Sequence, residues 1–382
     1  TGLGLHGGGA ALSTATEAVT QKTLERSLVA AQFAARGAGR KMERRFQRLQ
    51  QVAEEAGVQE ALRATGREGE DGDVARAKLQ ARMEQLLGED SSHEVVSWLI
   101  ADARGVQQAR APVSDTTGKS WAFRDYFHGL GRELPPDAQP APLRRPHLSV
   151  VYVSQASGRY QVTFSVPVWE GKREKPENGE SGPLGVLGAS VALGGFGELP
   201  PDLTQRGEQM AVLVDSRPDA NGRAGLVLQH PHLLALRSAG KPLPPVYLTT
   251  GPLQALREQL VRGAAPTWEL VQDSAHRDPV GGTYAGRWLA ALAPVMTLGH
   301  DSGWVVLVQE RADEALAPIA ALRARLLRES LVALALVVGA LGLLLTVGLR
   351  ALRRPARSLP LVGSEAAQSL RSEELAETVP AL

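Results

Sequence analysis

Apolar residues recur at steps of three and four along the first part of the chain, from about Ser13 to Ala64. This spacing places them on one face of a helix, and most lysines and arginines fall on the other faces. The stripe comprises Leu24, Leu28, Ala31, Ala35, Met42, Phe46, Leu49 and Val52. The pattern predicts one long helix over residues 13–65, weakened in its middle by Gly37 and Gly39. Such a helix is longer than one core needs, so it also predicts a seam between two parallel copies, a homodimer.

A second amphipathic helix is predicted over residues 74–87, and after it the pattern changes to that of a sheet. Short β-branched, aromatic and apolar segments are separated by turn residues, such as the Asp-Ala-Arg-Gly that follows Ala101. The predicted strands cover residues 95–101, 106–110, 149–154, 161–168 and 185–193. Helices followed by an antiparallel meander are typical of an α+β domain.

Residues 201–311 repeat this rhythm at a smaller size. Strands are predicted at 210–215, 225–230, 267–271, 286–295 and 303–309, with a helix at 253–261. Both halves contain a strand with proline between apolar residues, Val166-Pro167-Val168 and Ala293-Pro294-Val295. This echo predicts two related modules in tandem, with boundaries at 66–200 and 201–311.

One segment near the end of the chain has the composition of a membrane span. Leu331–Leu349 is uncharged and apolar throughout, and its roughly 19 residues extend over about 28 Å as a helix. The span is followed by Arg350, Arg353, Arg354 and Arg357, and a cluster of arginines marks the cytoplasmic side. The residues before about 331 are therefore expected to be extracytoplasmic, with an exit helix over 312–330.

The two ends of the chain are expected to contribute little to the folded part. Residues 350–382 have the composition of a disordered cytoplasmic tail. Residues 1–12 are interpreted either as the end of a truncated membrane helix or as a disordered start.

Composition and motifs exclude several classes of function. The chain has no cysteine, which removes disulfides, thiol nucleophiles and iron–sulfur clusters. Its net charge of +1 argues against a nucleic-acid partner. No catalytic motif, acidic metal cluster or phosphate-binding glycine loop stands out. We therefore expect no catalytic residues, no metal site and no cofactor.

An ordered series of segments resembles the double-Cache (dCache) family of extracytoplasmic sensors over residues 14–311. The series is WLIADARG, GKSWAFRDYF, VYVSQASGRYQVTFSVPV, GVLGASVAL, MAVLVDS, LVLQHP, LAALAPV and GWVVLVQE. The resemblance implies a membrane-distal and a membrane-proximal PAS-like (Cache) module. The FRDYFHG segment beside a single span further resembles the outer regions of planctomycete-type transmembrane serine/threonine kinases. That likeness implies a kinase domain N-terminal to Thr1.

The resemblance also implies a ligand site in the distal module. In amino-acid-binding members, an arginine and aromatic residues on one segment hold the ligand carboxylate, and that segment here is 121–127. On this segment the matching residues are Trp121, Arg124, Tyr126 and Phe127. Tyr152 matches the family's hairpin tyrosine, and Ser154 and Ser190 match its two acidic positions. The acids that would hold an amine are both serines here, so the expected ligand is a small carboxylate without an amine.

Two questions stay open at the level of sequence. Arg124 either faces a ligand or pairs with Asp125 or another nearby carboxylate, and Asp125 either supplies a charge to the site or points away. The expected function is small-molecule sensing by a transmembrane signalling receptor. The alternatives are a membrane-tethered extracytoplasmic enzyme and a structural dimer stalk.

Overall fold

The computed structural model describes the backbone of residues 3–90, 94–171, 182–194, 197, 199, 209–219, 221–262 and 272–352. The chain divides into two compact units, Thr1–Ile319 and Ala320–Leu382. The predicted fold class is confirmed: a long N-terminal helix, two PAS-like modules with antiparallel sheets, and an apolar C-terminal helix.

Three helices precede the first sheet: α1 (Leu3–Ala53), α2 (Ala56–Ala64) and α3 (Glu70–Glu89). The single helix expected over 13–65 is thus two helices, because Glu55 has an extended backbone conformation that ends the helical path. Gln59 stabilises this break, since its side-chain amide donates to the carbonyl of Ala53, the last residue of α1, at 3.1 Å. The helix also begins before the expected position, at Leu3.

The distal sheet contains β1 (Val95–Asp102), β2 (Gln107–Ala111), β3 (His147–Leu148), β4 (Tyr152–Val153), β5 (Tyr160–Val168) and β6 (Gly185–Ala192). Its order is β2-β1-β6-β5-β3, with β4 also paired to β5, and all pairs are antiparallel. A short helix, α4 (Asp125–His128), lies in the segment between β2 and β3. The strands expected at 95–101, 106–110, 161–168 and 185–193 are present, whereas the one expected at 149–154 is a strand only at Tyr152–Val153.

Alternation along the distal strands produces two different faces. Trp98, Ile100 and Phe164 belong to the core that also contains the apolar stripe of α1 from Ala31 to Val52. Leu99 and Tyr152 belong to a second cluster, together with Trp121 and other residues of the segment between β2 and β3. The distal sheet therefore has one face against helices and one face available for a ligand site.

The proximal sheet contains β7 (Gln209–Asp215), β8 (Leu226–Gln229), β9 (Gln272–His276), β10 (Trp288–Thr297) and β11 (His300–Arg311). Its order is β8-β7-β11-β10-β9, again antiparallel, and α5 (Pro231–Ser238) and α6 (Gly251–Val261) pack on it. The strand expected at 267–271 lies outside the described residues. Helix α5 was not expected; His230 caps it by accepting from the backbone N–H of His232.

Helix α1 is common to the cores of both modules. Its stripe residues are buried in the first unit, and Phe46 contacts Phe164 of β5 at 5.3 Å between ring centroids. Phe164 in turn contacts Trp304 of β11 at 6.3 Å, so one apolar core runs through both sheets. The expectation that this stripe is free to form a dimer seam was wrong, because both modules use it. The homodimer itself stays a prediction.

The chain ends in α7 (Ala312–Ala315) and α8 (Ala317–Leu352), so the exit helix and the span expected separately are continuous from Ala317. Among the described residues, α8 is the helix long and apolar enough to cross a membrane. Its leucines and valines are exposed, for example Leu344 at 69%. An apolar surface of this length is unfavourable in water and favourable in a bilayer.

Candidate functional site

A small cavity of about 30 Å³ lies on the distal sheet face that carries Leu99 and Tyr152. A cavity of this size holds about two water molecules. Five residues predicted as ligand-binding line it: Trp121, Arg124, Tyr126, Tyr152 and Ser154. The other two predicted residues, Phe127 and Ser190, are buried outside the lining. The ligand-binding role of all seven stays a prediction.

The segment 121–129 has a defined local structure. The indole N–H of Trp121 donates to the carbonyl of Thr116 at 3.0 Å, which fixes the ring at the start of the segment. Helix α4 then begins directly after Arg124 and is followed by Gly129, whose φ of +71° suits a glycine just after the end of a helix. This turn brings Tyr126 beside Tyr152, with 5.6 Å between ring centroids.

Arg124 is the partner of a carboxylate within the protein. Its Nη1 donates to Oε2 of Glu133 at 2.8 Å, and its Nη2 donates to the carbonyl of Val153 at 3.3 Å. The guanidinium also lies over the ring of Tyr152, 4.8 Å from the centroid. Of the two interpretations left open by the sequence, pairing with a nearby carboxylate is therefore observed, and the carboxylate is Glu133 rather than Asp125.

Glu133 is largely buried between Arg124 and the backbone. Burial raises the pKa of its carboxyl group, and the Arg124 guanidinium and the N–H of Asp125 act in the opposite direction. The N–H of Asp125 donates to Oε1 of Glu133 at 3.1 Å. Both carboxylate oxygens of Glu133 thus accept a hydrogen bond from the segment 121–129, one from Arg124 and one from Asp125.

Asp125 lies outside the cavity lining and is held by the protein. Its carboxylate accepts from the backbone N–H groups of Val150 at 2.7 Å and Gly131 at 2.6 Å, and from Nε2 of His147 at 2.9 Å. Burial alone would raise the pKa of Asp125, but its hydrogen bonds with His147 and Val150 and the nearby charge of Arg217 lower it overall. Asp125 therefore gives the cavity no counter-charge for an amine.

A chain of hydrogen bonds holds the hydroxyl group of Tyr152 in place. Its hydroxyl accepts from the side-chain amide of Gln161 at 2.6 Å and lies 2.7 Å from the hydroxyl of Thr163. Thr163 lies 2.9 Å from the hydroxyl of Ser190 in turn. Ser190 therefore acts on the cavity through Thr163 and Tyr152.

Several cavity residues were not found from the sequence: Gln107, Arg110, Thr116 and Gln161. Arg110 is the most informative of them, because it is a charged residue between Ala109 and Ala111 in a short buried strand. Its pairing with Leu99 across β1 and β2 places both on the cavity face. This register would have identified Arg110 as a cavity residue, but it can be read only once the pairing of β1 with β2 is known.

A larger groove of about 1030 Å³ is lined by residues of both modules, including His147 and Trp169 of the distal one and Arg257 and Asp301 of the proximal one. Arg217 connects the two modules in this groove. It is paired with Asp215 of the proximal module at 2.8 Å and donates to the carbonyls of Leu148 and Ser149 of the distal module. Within the part of the chain that the structure describes, no group of three histidines or acids is placed to hold a metal ion.

No protein-family model and no curated protein matches the chain. Among solved structures, it is similar to the ligand-binding domain of the Pseudomonas fluorescens chemoreceptor CtaA in complex with L-leucine. The sequence identity is 15% and the TM-score 0.43, over 78% of this chain and 97% of that one.

It is also similar to ligand-binding domains of two Pseudomonas aeruginosa amino acid chemoreceptors. PctB in complex with L-Arg has 16% identity and a TM-score of 0.42, over 77% of this chain and 90% of that one. PctC in complex with GABA has 17% identity and a TM-score of 0.41, over 75% and 99%. Because these TM-scores lie below 0.5, nothing follows from them about what this chain binds.

Proposed function

We propose that this chain is the extracytoplasmic small-molecule sensing region of a membrane receptor, with the distal cavity as its ligand site. The observation that carries the proposal is the composition of that cavity. Tyr126 and Tyr152 supply aromatic walls, and two arginines, Arg110 and Arg124, supply hydrogen-bond donors away from water. A few convergent polar groups among aromatic side chains are typical of small-molecule sites.

The donors of the cavity favour a carboxylate. The hydroxyl of Tyr126, a residue that lines the cavity, can donate to a ligand oxygen. Burial raises the pKa of Tyr126 well above its usual value, which keeps this hydroxyl protonated. Ser154 contributes a hydroxyl where an amine-binding site would need an acid. A small carboxylate without an amine is the proposed ligand.

Ligand binding has to open the cavity, because about 30 Å³ is less than any carboxylate needs. The turn at residues 154–158 forms one wall, through Ser154, Gln155 and Ala156. This turn is held by backbone bonds, from Gly158 N–H to the Ser154 carbonyl and from Ser154 N–H to that of Arg159. A ligand that binds the opened form more tightly than the closed form shifts the population between them, which is what a sensor requires.

The proposed output passes through the membrane helix. Strand β11 runs into α7 and then α8, so the chain is continuous from the proximal sheet to the apolar segment. The arginines after Leu349 support an extracytoplasmic position for the residues before about 331. A serine/threonine kinase as the output domain is a finer part of this proposal and rests on the sequence resemblance. A parallel homodimer is another part, and the stripe of α1 does not support it, because that stripe is buried within the chain.

The proposal is tested by thermal unfolding of the complete 382-residue chain in lipid nanodiscs. Acetate, propionate, pyruvate, lactate and the twenty amino acids are added separately. A ligand at one hundred times its dissociation constant stabilises the folded state by about 2.7 kcal/mol, which raises the melting temperature measurably. Failure of every small molecule to raise it would contradict sensing and favour the structural stalk, and turnover of a probe would favour the tethered enzyme.

A further inference from the structure

Arg110 is buried in the wall of the distal cavity on the edge strand β2, and only 7% of its surface is exposed. Its backbone is fixed by α3, because the side-chain amide of Gln80 donates to the carbonyl of Arg110 at 2.8 Å. The amide oxygen of Gln80 also accepts from the N–H of Arg110 at 3.1 Å. The guanidinium is therefore presented from a rigid position.

The side chain of Arg110 has few partners for its charge. Its Nη1 donates to the carbonyl of Pro112 at 3.1 Å, and among the described residues no carboxylate forms an ion pair with it. A guanidinium carries five N–H donors, so most of them remain for other groups. Burial lowers the pKa of Arg110, and the phenols of Tyr152 and Tyr126 partly oppose this effect.

The cavity holds one positive charge in excess. Arg124 is balanced by Glu133, and Asp125 is bound on the far side of the segment by His147 and two backbone N–H groups. Arg110 is left without a counter-charge. A buried charge that lacks its partner is strongly unfavourable, and a ligand of one negative charge would remove that cost.

We infer that Arg110, and not Arg124, pairs with the carboxylate of the ligand, and that the ligand is a small monoanion without an ammonium group. This inference rests on the proposed sensing function of the same cavity. The guanidinium fork matches a carboxylate in two parallel hydrogen bonds. A zwitterionic amino acid brings no net charge and would leave the excess in place.

The test compares Arg110→Met with Arg104→Met in the complete chain in nanodiscs. Arg104 is the matched control, since it is exposed and lies in the turn before β2. Binding of acetate, propionate, pyruvate and lactate is measured by calorimetry, with acetamide, propionamide, glycine and alanine as neutral or zwitterionic counterparts. We expect the wild type and Arg104→Met to prefer the carboxylates. We expect Arg110→Met to bind them roughly 10- to 100-fold more weakly, as for loss of a charged hydrogen-bond partner.

Thermal unfolding without added probe separates a ligand role from a structural one. Methionine keeps much of the volume of Arg110 and removes an unpaired charge, so the melting temperature should stay the same or rise. A lower melting temperature would mean that Arg110 is a structural residue and overturn the inference. Carboxylates that bind wild type and Arg110→Met equally well would leave the sensing function standing and refute the role of Arg110. Binding of amino acids in preference to carboxylates would refute the monoanion, and binding of nothing by the wild type would refute the sensing function as well.

Discussion

Arg110 and Arg124 lie in the wall of the same cavity, but their electrostatic surroundings differ. Arg124 has Glu133 at 2.8 Å, and both side chains are largely buried. Arg110 has a backbone carbonyl as its partner. Two residues of one type are therefore suited to different tasks: the paired arginine holds the segment 121–133 in place, and the unpaired one is available to an anion.

This difference predicts that Arg124→Ala lowers the stability of the ligand-free protein. The substitution leaves the Glu133 carboxylate buried without a counter-charge, at a cost of about 3 kcal/mol. Denaturant unfolding of the complete chain measures the loss. The double variant Arg124→Ala, Glu133→Gln is the control, since it removes both charges and should recover most of the stability. An unchanged unfolding curve for Arg124→Ala would show that the ion pair contributes nothing.

At the level of elements, two glycines two residues apart in α1 have opposite roles. Gly39 faces β10, and a Cβ atom added there would meet the carbonyl oxygen of Met296. A Cβ added at Gly37 meets nothing within 4 Å. The helix does not bend at these residues into separate elements, as it runs unbroken from Leu3 to Ala53. Gly39 is explained by close packing of α1 on the proximal sheet.

We therefore expect opposite effects from the same substitution at the two sites. Gly37→Ala should stabilise the protein by about 0.5–1 kcal/mol, because alanine loses less backbone entropy in a helix. Gly39→Ala should destabilise it by about 1–3 kcal/mol, because the strand has to move away. Melting temperatures of the two variants provide the measurement, each acting as the control for the other. Equal stabilisation by both would contradict the close contact between α1 and β10.

At the scale of the whole molecule, the cavity segment is connected to the proximal module by polar contacts. Asp125 accepts from His147 and Val150, and Arg217 donates to the carbonyls of Leu148 and Ser149 between them. Arg217 is also paired with Asp215 at the end of β7, which is a neighbour of β11. Burial on its own lowers the pKa of Arg217, but Asp215 and the other carboxylates nearby raise it overall. These contacts connect the site segment to β7, the neighbour of the strand that leads to α8.

Membrane topology provides the prediction at this scale. A reporter enzyme fused at Asn221, in the turn after β7, should be active outside the membrane. A reporter fused after Arg357 should be active only in the cytoplasm, because the arginines that follow Leu349 favour that side. Charge reversal of Arg350, Arg353, Arg354 and Arg357 is the matched variant and should weaken the orientation. The opposite location of the two reporters would rule out an extracytoplasmic sensor.

The stripe from Leu24 to Val52 shows how much of the structure helical periodicity can predict. It was sufficient to predict a long helix with one apolar face, because the period of 3.6 residues is a local property. It did not indicate what covers that face. The structure buries Phe46 against Phe164 of the distal sheet, a contact between residues far apart in the chain. A dimer seam and an intramolecular core have the same periodicity, so only the tertiary structure decided between them.

The candidate site divides in the same way. The sequence by itself determined the tandem α+β modules and the apolar span, since each depends on composition and spacing within a short stretch. The segment at 121–127 was indicated by the resemblance to the dCache family. The partner of Arg124 and the position of Arg110 depend on which strands and turns meet. The pairing of Leu99 with Arg110 places Arg110 at the cavity, and the return of the chain at Glu133 gives Arg124 its counter-charge. Electrostatic pairing falls off over a few ångströms, and distances of that size are fixed by tertiary structure alone.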